Sequence, residues 1–153
     1  MYATATGSSA NVFSLKGMSS AYRQIDIETG VSGASSHQLI TLLFNGALDA
    51  IVQGKGAMLD HNIELKCNAI TKAVRIVDEG LKAALNMRSG GELAQNLNDL
   101  YAYITLRLIQ ANLRNDVNAL DECVKLLSPL RDAWVSITPA HSQVVRATLE
   151  VQA

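Results

Sequence analysis

The chain has 153 residues, 48% hydrophobic and only 5% aromatic, with two prolines and a formal charge of −1. That length supports one domain burying roughly 70% of its unfolded surface without staples, and the near-zero charge leaves no electrostatic case for nucleic acid or an anionic membrane. Residues 1–10 lack the basic start and apolar run of a signal peptide, and residues 39–52, the longest apolar region, are too short to span a bilayer, so a cytoplasmic protein without membrane insertion is expected.

Residues 1–17, rich in Ser, Thr, Ala and Gly, read as a flexible leader before a single helical domain over 18–150. Residues 18–28 suit a short helix with Met18, Tyr22 and Ile25 on one side, stopped at Gly30. Ser35 and Gln38 have the spacing of a capping box, which predicts a helix from there to about residue 53, ended or frayed by Gly54 and Gly56. Its apolar residues, from Leu39 to Val52, cover most of the circumference. Such a helix is buried on more than one side or carries an exposed apolar strip.

The next helix is expected to start between residues 60 and 62. Its stripe of Ile63, Cys67, Ile70, Val74, Val77, Leu81 and Ala84 alternates spacings of four and three, as in left-handed bundle packing. Met87 and Arg88 close it, and the short connection makes it an antiparallel neighbour of the following helix. Ser89 and Glu92 read as a second capping box opening that helix, which runs to about residue 113. It carries one stripe of Leu93, Leu97, Leu100, Ile104, Leu108 and Ala111, and a second of Ala102, Leu106, Ile109 and Leu113. Two stripes imply neighbours on two sides, and each fully buried Leu or Ile contributes roughly 1.5–3 kcal/mol. Asn115 and Asp116 break it, with Asp116 as N-cap of a fourth helix whose stripe is Leu120, Val124, Leu127, Leu130, Trp134 and Ile137. Pro129 inside that helix predicts a kink, and Thr138-Pro139 reads as the start of a last short helix over 139–149. The fold class predicted is all-α: an antiparallel up-and-down four-helix bundle with a short extra terminal helix, more than about 60% helical and without strand.

No catalytic constellation is present in the sequence. His37, His61 and His141 share no spacing with acidic residues, there is no Glu-x-x-His pair, Cys-x-x-Cys or P-loop, and Gly90-Gly91 suits a helix entry better than phosphate. Cys67 and Cys123 read as two buried free thiols. The expectation is a binding module, with no enzyme activity, cofactor or metal.

Ala34-Ser35-Ser36-His37-Gln38-Leu39-Ile40, then Leu43-Phe44-Asn45-Gly46-Ala47, resembles the N-terminal signature of the flagellin export chaperones, the FliS family. Lys72-Ala73, Ile76-Val77, Leu81, Gly90-Gly91-Glu92, Asn96-Leu97, Leu100-Tyr101, Tyr103, Leu108, Ala111-Asn112, Asp116, Leu126-Leu127, Leu130-Arg131 and Ala133-Trp134 continue it in order. The departures are Ser36 where the family usually has Pro, Asn45 where it has Asp, a longer leader before Gly17, and Pro129. The resemblance implies a cytoplasmic chaperone that binds the disordered C-terminal segment of flagellin, blocks its premature polymerisation and aids its delivery to the flagellar type III export apparatus. It leaves room for another flagellar regulator on the same surface.

Surplus apolar residues are the candidates for the flagellin-binding groove: Phe44, Leu48 and Ile51, expected to turn partly outward, with Tyr101, Tyr103 and Leu106 beside the main stripe of the central helix. Tyrosines suit such a place, with an apolar body and a hydroxyl for a client backbone. Trp134 is assigned to core or end packing. The resemblance further places Met18 and Tyr22 as a cover for the groove without client, a segment whose burial of roughly 3–6 kcal/mol nearly cancels its ordering cost. The alternative, from another class, is a structural bundle whose apolar surplus is a homodimer interface.

Overall fold

The computed structural model describes residues 35–137. The leader, the helix over 18–28 with Met18 and Tyr22, and the helix over 139–149 lie outside the described residues. Helix takes up 85% of the described residues, with no strand among them. The described residues form four long helices: α1 (Ser36–Leu59), α2 (Ile63–Arg75, continued as a π-helix over Ile76–Lys82), α3 (Gly91–Arg114) and α4 (Val117–Ser136). Each packs on its neighbours in sequence, and α1 also packs on α4, which closes the up-and-down bundle.

The capping chemistry at Ser35 and at Asp116 is as the sequence predicts, and the structure adds a third cap at Asn62. The Ser35 hydroxyl accepts from the Gln38 N–H at 3.2 Å while Gln38 Oε1 accepts from the Ser35 N–H at 2.9 Å, so two otherwise orphaned donors are satisfied. Asn62 caps α2 through the Leu65 N–H, and Asp116 caps α4 through the Ala119 N–H. The second capping box does not form. Asn86 takes its place: its side-chain oxygen accepts from the N–H groups of Arg88 and Ser89, and its carbonyl from Gly90. The helix then starts at Gly91 with φ +57, a left-handed conformation that glycine adopts without steric cost.

Helix α1 runs past its predicted end, through Gly54 and Gly56 to Leu59. Gly54 is buried because it is a contact point: a Cβ there would stand 2.9 Å from Ile70 Cγ1, so its missing side chain is what lets α1 and α2 approach. Gly80 does the same in the π-helical stretch, beneath Leu43 of α1. The wide i→i+5 turns there bury Ile76, Val77, Gly80 and Leu81 together. The alternating spacing of four and three runs through this stretch and carries no mark of it.

The core joins Leu43, Phe44, Leu48 and Ile51 of α1 to Ile70 and Val77 of α2, Ile104 and Leu108 of α3, and Leu120, Cys123 and Leu127 of α4. Cys123 is fully buried and Cys67 half-buried, and both are free thiols. Burial pushes the Cys123 thiol up to about 12. Pro129 is exposed and α4 continues on both sides of it. At the end of the bundle where α1 starts and α4 finishes, His37 and Trp134 hold each other. Their rings stack at 5.0 Å, the indole N–H donates to the His37 carbonyl at 3.0 Å, and the imidazole Nε2 lies 2.9 Å from the Trp134 carbonyl.

Candidate functional site

Helix α3 has two apolar faces of opposite fate. Ala94, Tyr101, Ile104, Leu108 and Ala111 are buried. About half a turn round the helix, Ala102, Leu106, Ile109 and Leu113 recur at four, three and four, and all four are exposed. Leu106 is 52% exposed, Ile109 50% and Leu113 80%. The two-sided neighbourhood predicted for α3 is therefore not observed among the described residues. The second stripe faces out because α2 and α4 flank the first and nothing described covers the far side. Leu93, read as the head of the main stripe, is exposed as well.

One edge of the exposed strip is polar and fixed. Tyr103, 43% exposed, donates its hydroxyl to the Glu122 carboxylate of α4, and Arg107 Nε donates to the other oxygen of that carboxylate at 2.9 Å. Arg107 also reaches Gln110 at 3.0 Å. The Tyr103 hydroxyl, with Arg107 beside it, holds the Glu122 carboxyl below its ordinary value, and the same bond holds the Tyr103 hydroxyl above its own. An aromatic body lying along the strip with its polar end tied down is a rigid contact surface, since little side-chain freedom remains to be lost on binding.

Of the residues predicted to line a groove, Tyr103 and Leu106 lie on this surface. Phe44, Leu48, Ile51 and Tyr101 do not: none is more than 7% exposed. The expectation that the α1 residues turn partly outward is corrected, because close packing at Gly54 and Gly80 brings α2 over the surplus apolar side of α1. Tyr101 falls on the inner face of α3, where burial pushes its hydroxyl up to about 12. Ile109 and Leu113 join the surface in their place. They stood in the second stripe of the sequence, and nothing in the sequence pattern separates the two stripes. Met18 and Tyr22 lie outside the described residues.

The strip is apolar and carries no chemistry of its own, and among the described residues no three of His, Cys, Asp or Glu come together as a metal site. No helix of the described residues is long and apolar enough to cross a membrane. What the geometry offers is a binding face for an amphipathic segment, with i, i+4, i+7 and i+11 anchors.

A family model described as flagellar protein FliS matches residues 18–141. The chain is 46% identical over 122 residues to a flagellar secretion chaperone FliS of Salmonella typhimurium, covering 80% of this chain and 90% of the relative. It is 42% identical over 127 residues to a flagellar secretion chaperone FliSB of Pseudomonas aeruginosa, covering 83% and 99%. A flagellar secretion chaperone FliS of Vibrio cholerae is 31% identical over 137 residues, covering 90% of this chain and the whole of that protein.

Proposed function

The chain belongs to the FliS family of flagellar secretion chaperones, and from that membership we propose that it works in the cytoplasm, holding the disordered C-terminal segment of flagellin and presenting it to the flagellar export apparatus. The observation that carries this reading is the outer strip of α3: Ala102, Leu106, Ile109 and Leu113 exposed in one helical row, with Tyr103 tethered at its edge. A segment that later polymerises must carry apolar positions of its own, and masking them against this row keeps them from one another. Folding onto the row costs several kcal/mol of ordering, so the complex is specific yet releasable. Phe44, Leu48, Ile51 and Tyr101 serve that surface from beneath, by holding α3 against the bundle. Met18 and Tyr22 remain the proposed cover of the surface when no client is bound.

Light scattering on the full chain, alone and with a peptide of the flagellin C-terminal segment, tests this. A one-to-one heterodimer formed on adding peptide is the expected result. A tight dimer of the chain that ignores the peptide would assign the strip to a second copy and end the chaperone reading.

A further inference from the structure

At the end of the bundle opposite the His37–Trp134 pair, the α1–α2 turn and the α3–α4 turn enclose a cavity of about 390 Å³. Met58, Leu59, Ile63 and Val117 give it apolar walls; Lys66, Asn115, His61 and Asn62 give it polar ones. Lys66 is the one charged side chain among the buried residues described, only 7% exposed. Its ammonium donates to the Asn112 carbonyl at 3.0 Å and to Asn115 Oδ1 at 2.7 Å. Both acceptors are neutral, and an ammonium has three N–H groups. One N–H is therefore left over, and among the described residues no carboxylate pairs with the charge. Asp60 and Glu64 are exposed and Asp116 caps α4; none of the three lines the cavity. Ile63 and Val117 are the first residues of α2 and α4, while Leu59 and Asn115 stand at the ends of α1 and α3, so positive and negative helix ends meet here in equal number and the sign of the site is left to Lys66.

The outer strip of α3 runs about 16 Å along the helix from Ala102 to Leu113, and Asn115, two residues on, is in the cavity wall, so the strip and the cavity share one end of the bundle. A hole with apolar walls, one desolvated cation and no acidic group suits an apolar side chain with a carboxylate on the same residue. In a polypeptide, that is the last residue.

Resting on the proposed client, we infer that this cavity receives the chain-terminal residue of the bound segment, its α-carboxylate accepting the free N–H of Lys66 and its side chain lying between Met58, Leu59, Ile63 and Val117. The bound segment then runs along α3 in the same direction as α3, and the cavity fixes its register by reading where the chain stops.

The test compares two synthetic peptides of the flagellin C-terminal segment, identical except that one ends in a free carboxylate and the other in a carboxamide, titrated calorimetrically into the full chain. The amide is expected to bind about tenfold more weakly, the loss of one charge-assisted hydrogen bond. Ile63→Asp, at an exposed position on the cavity mouth, should weaken both peptides through the lost apolar wall and shrink the difference between them to about twofold by repelling the carboxylate. Lys66→Met should abolish it wherever the variant folds. Equal binding of acid and amide by the unaltered chain would overturn this inference and leave the client assignment standing. Failure of both peptides to bind would overturn the client assignment itself, and this inference with it.

Discussion

Helices α1 and α3 are the same length, 24 residues, and each has more apolar side chains than one face can hold. They dispose of the surplus in opposite ways. Helix α1 buries Leu43, Phe44, Ala47, Leu48, Ala50, Ile51, Ala57 and Met58 and leaves only Val52 and Leu59 out, while α3 leaves Tyr103, Leu106, Ile109 and Leu113 in solvent in one row. The difference lies in the neighbours. Gly54, within α1, and Gly80, opposite it, remove the side chains that would hold α2 away, so α1 is wrapped. Helix α3 has no such close approach on its outer side. Apolar surplus in a helix therefore says that something covers it, and the small residues around it say whether that cover belongs to the same chain.

Charge placed on each surplus breaks the comparison most sharply. Phe44→Asp should unfold the protein, since an unpaired buried carboxylate costs more than about 4 kcal/mol, enough to remove the cooperative transition in a thermal melt. Leu106→Asp should change stability by no more than about 0.5 kcal/mol and yet weaken peptide binding at least about tenfold. A melt that collapses for Leu106→Asp would place the outer strip in the core.

A second pair of substitutions addresses the wrapping itself. Gly54→Val must push Ile70 aside and should cost about 1–3 kcal/mol. Ile70→Ala is destabilising alone, but should recover part of that loss in the double variant, giving a coupling energy in denaturant titrations. Simple additivity of the two would mean that the helices do not meet at Gly54.

The smallest effect separates the two tyrosines of α3. Both titrate above the ordinary phenol value, Tyr101 near 12 through burial and Tyr103 through its bond to Glu122. Glu122→Gln should bring the Tyr103 transition down in an ultraviolet pH titration and leave Tyr101 unmoved. The carboxylate side of the same contact has the opposite sign. Glu122 is held below its usual value, so its contribution is present above that value and is lost as pH falls through the depressed one. The acid limb of the stability profile should accordingly be shallower in Glu122→Gln.

Most of the frame was legible before the structure. The Ser35 box, the Asp116 cap, the antiparallel connection before Gly91 and the four periodic stripes all follow from local chemistry, which acts within one helical turn. What was misread depended on distance in space. Ser89 and Glu92 have the spacing of a cap, but Asn86 takes the Ser89 N–H from within the turn. Gly54 reads as a helix end, since glycine is a poor helix former, until Ile70 is seen against it. Phe44 and Leu106 are equally apolar in sequence, and only the position of α2 tells them apart. The cavity at Lys66 was invisible for the same reason: Lys66, Asn112 and Asn115 are polar residues in two different helices and a turn, and their spacing carries no motif.

The His37–Trp134 pair has a topological consequence. Two hydrogen bonds and a ring stack bring the first turn of α1 and the last turn of α4 together, so the described helices form a loop that is closed by side chains where a peptide bond would close a cyclic protein. In such a loop no single inter-helix turn is indispensable as a covalent link. A circular permutant of the described helices that joins residues 35 and 137 through a short linker and opens the chain at the exposed turn around His61 should keep the same four helices around the same core, with its new ends beside Lys66.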